Sequence, residues 1–108
     1  MRRGTTPTLL ITIPDRDLRD ATIFVSIRQT ANTPPVLTKT NDSLDVSYEN
    51  GDSVLAVRYS QEDTLSLISG NAEIQVRWIF ENELADGSAI ATIVVDPILK
   101  EGVIEYAG

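Results

Sequence analysis

Short stretches of alternating apolar and polar residues, parted by turn residues, run the length of this chain. In TLLITIP, Leu9, Ile11 and Ile13 alternate with Leu10 and Thr12, and Pro14 ends the stretch by withholding a ladder donor. After the polar connection DRDLRDA, Ile23, Val25 and Ile27 alternate with Phe24, Ser26 and Arg28, branched and aromatic side chains that suit a pleated surface. ANTPP breaks the chain, and VLTKT resumes it briefly; its proline flank, its shortness and Lys39 mark a protected sheet edge. The clearest local signal is SLDVSYENGDSVLAVRY. Leu44, Val46 and Tyr48 alternate up to Asn50-Gly51, and Leu55, Val57 and Tyr59 alternate after it, which predicts a hairpin with positive φ at its turn.

The pattern then changes. Ser60, with Asp63 three residues on, approximates a capping box, in which a hydroxyl accepts from an early helical N–H and a carboxylate reaches back. Gly70 stops this helical turn. From Glu73 onward Ile74, Val76, Trp78 and Phe80 share one face, against Gln75, Arg77 and Glu81 on the other, which is strand periodicity. ENELADGSA predicts a second hairpin turn through Asp86-Gly87, leading to a strand in IATIVVDPIL and a last short one in VIEY. Seven or eight short strands with one short helical crossover predict an all-β, antiparallel sandwich of one domain, residues 1–108, with no internal repeats or linkers.

The faces of these strands carry the first functional hints. Trp78 lies between Val76 and Phe80 on the inward face, where burial of its indole contributes on the order of 3 kcal/mol. A sugar-binding platform is the alternative use of a tryptophan, but it wants several exposed aromatics, and the chain has one Trp, three Tyr and two Phe. Phe24 and Ile79 fall on outward faces, and a patch of such residues marks a protein partner.

Composition narrows the chemistry. At 108 residues the chain can bury roughly two-thirds of its unfolded surface without metal or disulfide. It has no Cys and no His, which removes thiol nucleophiles, thiolate metal sites and the commonest general base. A formal charge of -7 disfavours binding to nucleic acid or anionic membranes. The apolar run after Arg2 and Arg3 is too short for a signal peptide or a membrane span, so the chain is expected to be made in the cytoplasm. Residues 1–6 read as a mobile basic arm able to lie on the acidic surface of another copy, making Arg2 and Arg3 candidate interface residues beside Phe24 and Ile79.

Three acidic clusters invite chemistry and lack its other parts. Asp15, Asp17 and Asp20 cluster as a calcium loop does, without the glycine or distal glutamate of an EF-hand and with Arg16 and Arg19 interleaved. Glu62 with Asp63, and Glu81, Glu83 and Asp86, could pair as general acid and base, yet nothing in the sequence places them in a cleft, and turn and cap roles are the ordinary account of them. No phosphate-cradling motif is present, no serine or threonine has a histidine partner, and the residues require neither metal nor cofactor.

The segments RRGTTPTLLITIPDRDLRDATIFVSIRQ, SQEDTLSLISGNAEIQVRWIF and DGSAIATIVVDPILKEGVI resemble a family of small structural proteins of tailed bacteriophages and prophages of Gram-positive bacteria. The opening is also similar to the immunoglobulin-like amino-terminal domain of phage upper-baseplate proteins, from which this chain is expected to differ in lacking their helical or receptor-binding extension. The resemblance implies an immunoglobulin-like sandwich acting as a non-enzymatic virion component of the tail or baseplate, with copies of itself or other virion proteins as partners. A carbohydrate-binding or adhesion module of the same fold is the alternative.

Overall fold

The computed structural model describes residues 1–30, 34–35 and 37–108, which form eight strands in two antiparallel sheets, an all-β sandwich. One sheet holds β1 (Thr8–Ile13), β5 (Asp52–Arg58) and β4 (Leu44–Glu49), in that order. The other has β2 (Thr22–Arg28) and β6 (Gly70–Ile79) at its centre, with β3 (Leu37–Lys39) outside β2. On the far side of β6, β7 (Ala85–Gly87) pairs with its end and β8 (Ala91–Val95) with its beginning. Val36, expected within the third strand, lies outside the described residues.

Alternation decides what fills the space between the sheets. Ile23, Val25 and Ile27 of β2, Leu55 and Val57 of β5, and Ile74, Val76 and Trp78 of β6 are buried in one core, while their sequence neighbours face out or lie at intermediate depth. Asn50 and Gly51 take φ of 54° and 85° between the paired residues Glu49 and Asp52, the primed two-residue turn that their chemistry favours. From β5 the chain crosses to β6 through α1 (Gln61–Leu65). Five residues are far fewer than an isolated helix needs, so its ends must be held. Ser60 Oγ accepts from the Asp63 N–H at 3.1 Å, and Asp63 Oδ2 accepts from the Ser60 N–H at 2.8 Å. Thr64 is buried; its Oγ1 accepts from the Thr5 N–H at 3.2 Å and donates to the Thr5 carbonyl at 2.9 Å.

Three features differ from the sequence reading. The reversal in ENELADGSA is at Glu81–Glu83, with Glu83 at φ 65°, and Asp86-Gly87 lie within β7. Asn82 is the competing turn residue: its Oδ1 accepts from the Leu84 N–H at 3.2 Å. Ser88 then carries the ladder toward β8, donating its N–H to Val76 O at 2.8 Å and accepting the Val76 N–H on Oγ at 3.0 Å. The VIEY segment, Val103–Tyr106, has a strand's alternation but pairs with no strand among the described residues.

The third concerns the amino terminus. Residues 1–6 do not form a free arm. Arg2 makes a parallel bridge with Asp96, the Met1 amino group donates to Val94 O at 2.8 Å, and Arg3 donates to Leu67 O at 2.7 Å.

The neighbour order is informative. Immunoglobulin sandwiches pair strands A-B-E-D in one sheet and C′-C-F-G in the other. Here β1-β5-β4 matches B-E-D, and β3-β2-β6 with β7 and β8 matches C′-C-F-G. Among the described residues strand A is represented only by Met1–Arg3 at the end of β8, and along β1 no strand takes its place.

Candidate interface at the open edge of β1

The ladder shows which backbone groups this gap exposes. Tyr59 donates its N–H to Pro7 O at 3.1 Å, next in register to the pair Thr8 and Arg58. Bonded and non-bonded pairs alternate in an antiparallel ladder, so Leu9, Ile11 and Ile13 exchange hydrogen bonds with β5. The N–H and C=O groups of Thr8, Leu10 and Thr12 therefore point away from it, along an edge that pairs with nothing among the described residues. Leu10 is 69% exposed on the outer face.

Beside this edge lies a groove of about 650 Å³ between β1 and the β7–β8 segment. Its walls are largely apolar, with Leu9 and Ile11 on one side, Ala89 and Ala91 on the other, and Val76 and Trp78 between them. Two polar devices shape it. Arg16 reaches from the β1–β2 connection to Asp86 of β7 at 2.6 Å. Ser53, fully buried on β5, pins that connection by donating to Arg16 O at 2.7 Å and accepting from the Leu18 N–H at 2.9 Å. The Trp78 Nε1–H has no hydrogen-bond partner.

The residues singled out from sequence fall in two separate places. Phe24 and Ile79 do face outward, at 39% and 36% exposure, and with Ala85 they line a shallow hollow on the outer face of the five-stranded sheet. Arg2 and Arg3 are at the opposite end of β6, and their side chains are engaged within the chain: Arg2 Nη1 donates to Pro97 O at 2.6 Å, and Arg3 pairs with Glu101 at 2.6 Å. The structure therefore does not join the four into one surface.

Of the acidic residues singled out from sequence, Asp17, Asp63 and Asp86 pair with cations. Asp17 takes Arg19 at 2.7 Å, and that side-chain hydrogen bond holds its carboxyl below the usual aspartate value. Asp63 is part of the α1 cap and takes Lys39 at 2.5 Å. Burial pushes the Asp63 carboxyl up, but Lys39 and the Ser60 N–H together outweigh it and hold it below the usual 3.8. Next to that pair, the buried Tyr59 hydroxyl has no hydrogen-bond partner and is pushed up to about 12, by burial first and by Asp63 second.

Sequence reasoning found β1 as a strand and did not single it out as an interface. The signal was in its composition: Thr-Leu-Leu-Ile-Thr-Ile contains no charge or proline, the residues that usually guard an edge. Comparison of the chain with protein-family models, curated proteins and solved structures gave no match.

Proposed function

We propose that this protein is a non-enzymatic structural component of a tailed-phage or prophage virion, of the tail or baseplate, and that it works by joining protein chains. The observation that carries the assembly role is the apolar groove alongside an unpaired strand edge, a surface that suits a protein segment. The virion assignment rests on the sequence resemblance to small phage structural proteins. A sugar-binding module has less support, because Trp78, the side chain best suited to stack on a ring, is buried at 4% exposure.

The test is particle composition. Virions induced from a host carrying the gene, purified by density gradient and analysed by mass spectrometry, should contain the chain at a fixed ratio to major tail proteins. Its absence from intact particles, with free protein in the lysate, would sink the virion assignment.

A further inference from the structure

Flat, apolar edge strands invite pairing, and proteins shorten, charge or cover them. The other edges here are treated in that way. β3 has three residues and Lys39, β4 carries Asp45 and Glu49, and Met1–Arg3 cover the end of β8. β1 has six uncharged residues and none of these protections.

The chain also carries an unpaired segment with the complementary pattern. Val103, Ile104 and Tyr106 are exposed, Tyr106 at 95%. In extended form Ile104 and Tyr106 lie on one face, with Val103 and Glu105 on the other. Past Gly102 the only hydrogen bonds tying this segment to the rest of the chain, among the described residues, are with Gln61, whose Nε2 donates to Ile104 O at 3.0 Å and whose Oε1 accepts the Ile104 N–H at 2.8 Å. One side-chain amide thus imitates a neighbouring strand at a single residue. The radius of gyration, 15.0 Å, exceeds the roughly 13 Å of a compact chain this long, in keeping with a projecting segment.

We propose that residues 102–107 of one copy add as a strand to β1 of the next, an inference that rests on the assembly role proposed above. Ile104 and Tyr106 enter the groove over Val76 and Trp78, and the segment's backbone pairs with the free groups of Thr8, Leu10 and Thr12. It takes the place that strand A fills in an immunoglobulin sheet. A bare segment suits the groove because Ser88, Ala89 and Ala91 bound its far side; a complete second sandwich at the same edge would bring its own facing sheet against them. Donor segment and acceptor edge are different surfaces, so the contact is heterologous and repeats into a ring or a filament.

Sedimentation of the full chain, a chain ending at Glu101 and the Leu10→Lys variant provides the test, together with titration of the shortened chain with a peptide of residues 102–107. The full chain should associate with rising concentration, while truncation and Leu10→Lys should each weaken association by at least about tenfold. The peptide should bind the shortened chain and shift Trp78 fluorescence, and its Ile104→Asp version should not. Three results overturn the proposal: a full chain monomeric up to about 1 mM, association that survives truncation, or peptide binding with a monomeric full chain, which would seat the segment in its own groove. A chain found in virions that fails these tests leaves the assembly role standing without this mode of contact. Self-association of a chain absent from every particle does the reverse.

Discussion

The Arg16 guanidinium lies over the Trp78 indole, 5.7 Å from the ring centroid, while pairing with Asp86, the residue opposite Trp78 in the β6–β7 ladder. One side chain therefore ties the β1–β2 connection to the core tryptophan and to the strand across the groove. The two contacts differ in weight. Arg16 and Asp86 are about half exposed, so their attraction is screened, whereas Trp78 is almost wholly buried.

Trp78→Ala should cost about 3–5 kcal/mol, the range for removing a large buried aromatic, and Arg16→Ala about 1 kcal/mol or less. Denaturant melts of both variants measure this. A Trp78→Ala loss below about 1 kcal/mol would return the indole to the surface and reopen the sugar-binding alternative.

Tyr59 offers a test with the opposite sign. Its buried hydroxyl has no partner, and an unsatisfied buried polar group costs roughly 1–3 kcal/mol. Tyr59→Phe should therefore leave stability unchanged at neutral pH or raise it by about 1 kcal/mol. The folded-state value, about 12, lies above the ordinary 10.0, so the folded chain keeps its proton where the unfolded chain has lost it. Stability then falls as pH rises from 10.0 to about 12. Tyr59→Phe should flatten that alkaline limb in thermal melts, and an identical limb in both proteins would assign the loss to other groups.

The α1 cap carries an acid limb. Asp63 is held below 3.8 in the fold, so its contribution is present in full above the unfolded value and fades as pH drops through the lower folded one. Asp63→Asn should flatten stability below about pH 4, and Ser60→Ala should cost about 1 kcal/mol at neutral pH. Because Lys39 sits on β3 and Asp63 on α1, the pair also fixes an edge strand to the crossover. Hydrogen exchange on β3 should quicken in Asp63→Asn; unaltered exchange there would reduce Asp63 to a local cap.

What was legible in the sequence depended on near neighbours. The alternation of Ile23, Val25 and Ile27, the turn at Asn50-Gly51, the Ser60 cap and the outward placement of Phe24 and Ile79 each follow from a few adjacent residues. The misreadings turned on distant ones. Arg3 reads as a mobile charge until Leu65, Leu67 and Glu101 are brought around it, and Val103–Tyr106 reads as a strand although no ladder partner meets it among the described residues. Asp86-Gly87 lost the turn to Asn82, a contest between two good turn formers that local chemistry leaves open. The open edge required both kinds of information: its unguarded composition is local, whereas the missing neighbour is a property of strand order.

Arg3 gives the most direct check on the docked amino terminus. Its Nε and Nη2 donate to the carbonyls of Leu67 and Leu65 at 2.7 and 3.3 Å, where the helical turn runs out, and Nη1 donates to Glu101 at 2.6 Å. A guanidinium satisfies such end-of-helix carbonyls well. The Arg3 side chain is 17% exposed and Glu101 is 64% exposed, so salt can screen the ion pair while hardly touching the carbonyl contacts. Arg3→Met, which keeps the apolar stem, should cost about 1.5–3 kcal/mol, the range for hydrogen bonds from a charged donor. Most of that loss should persist in about 1 M NaCl, where exposed charges are screened within a few ångströms. Paired denaturant melts at low and high salt would decide. A variant as stable as the parent would mean that residues 1–6 move freely and that the end of β8 is a second open edge, whereas a loss that vanished in salt would assign the whole effect to Glu101.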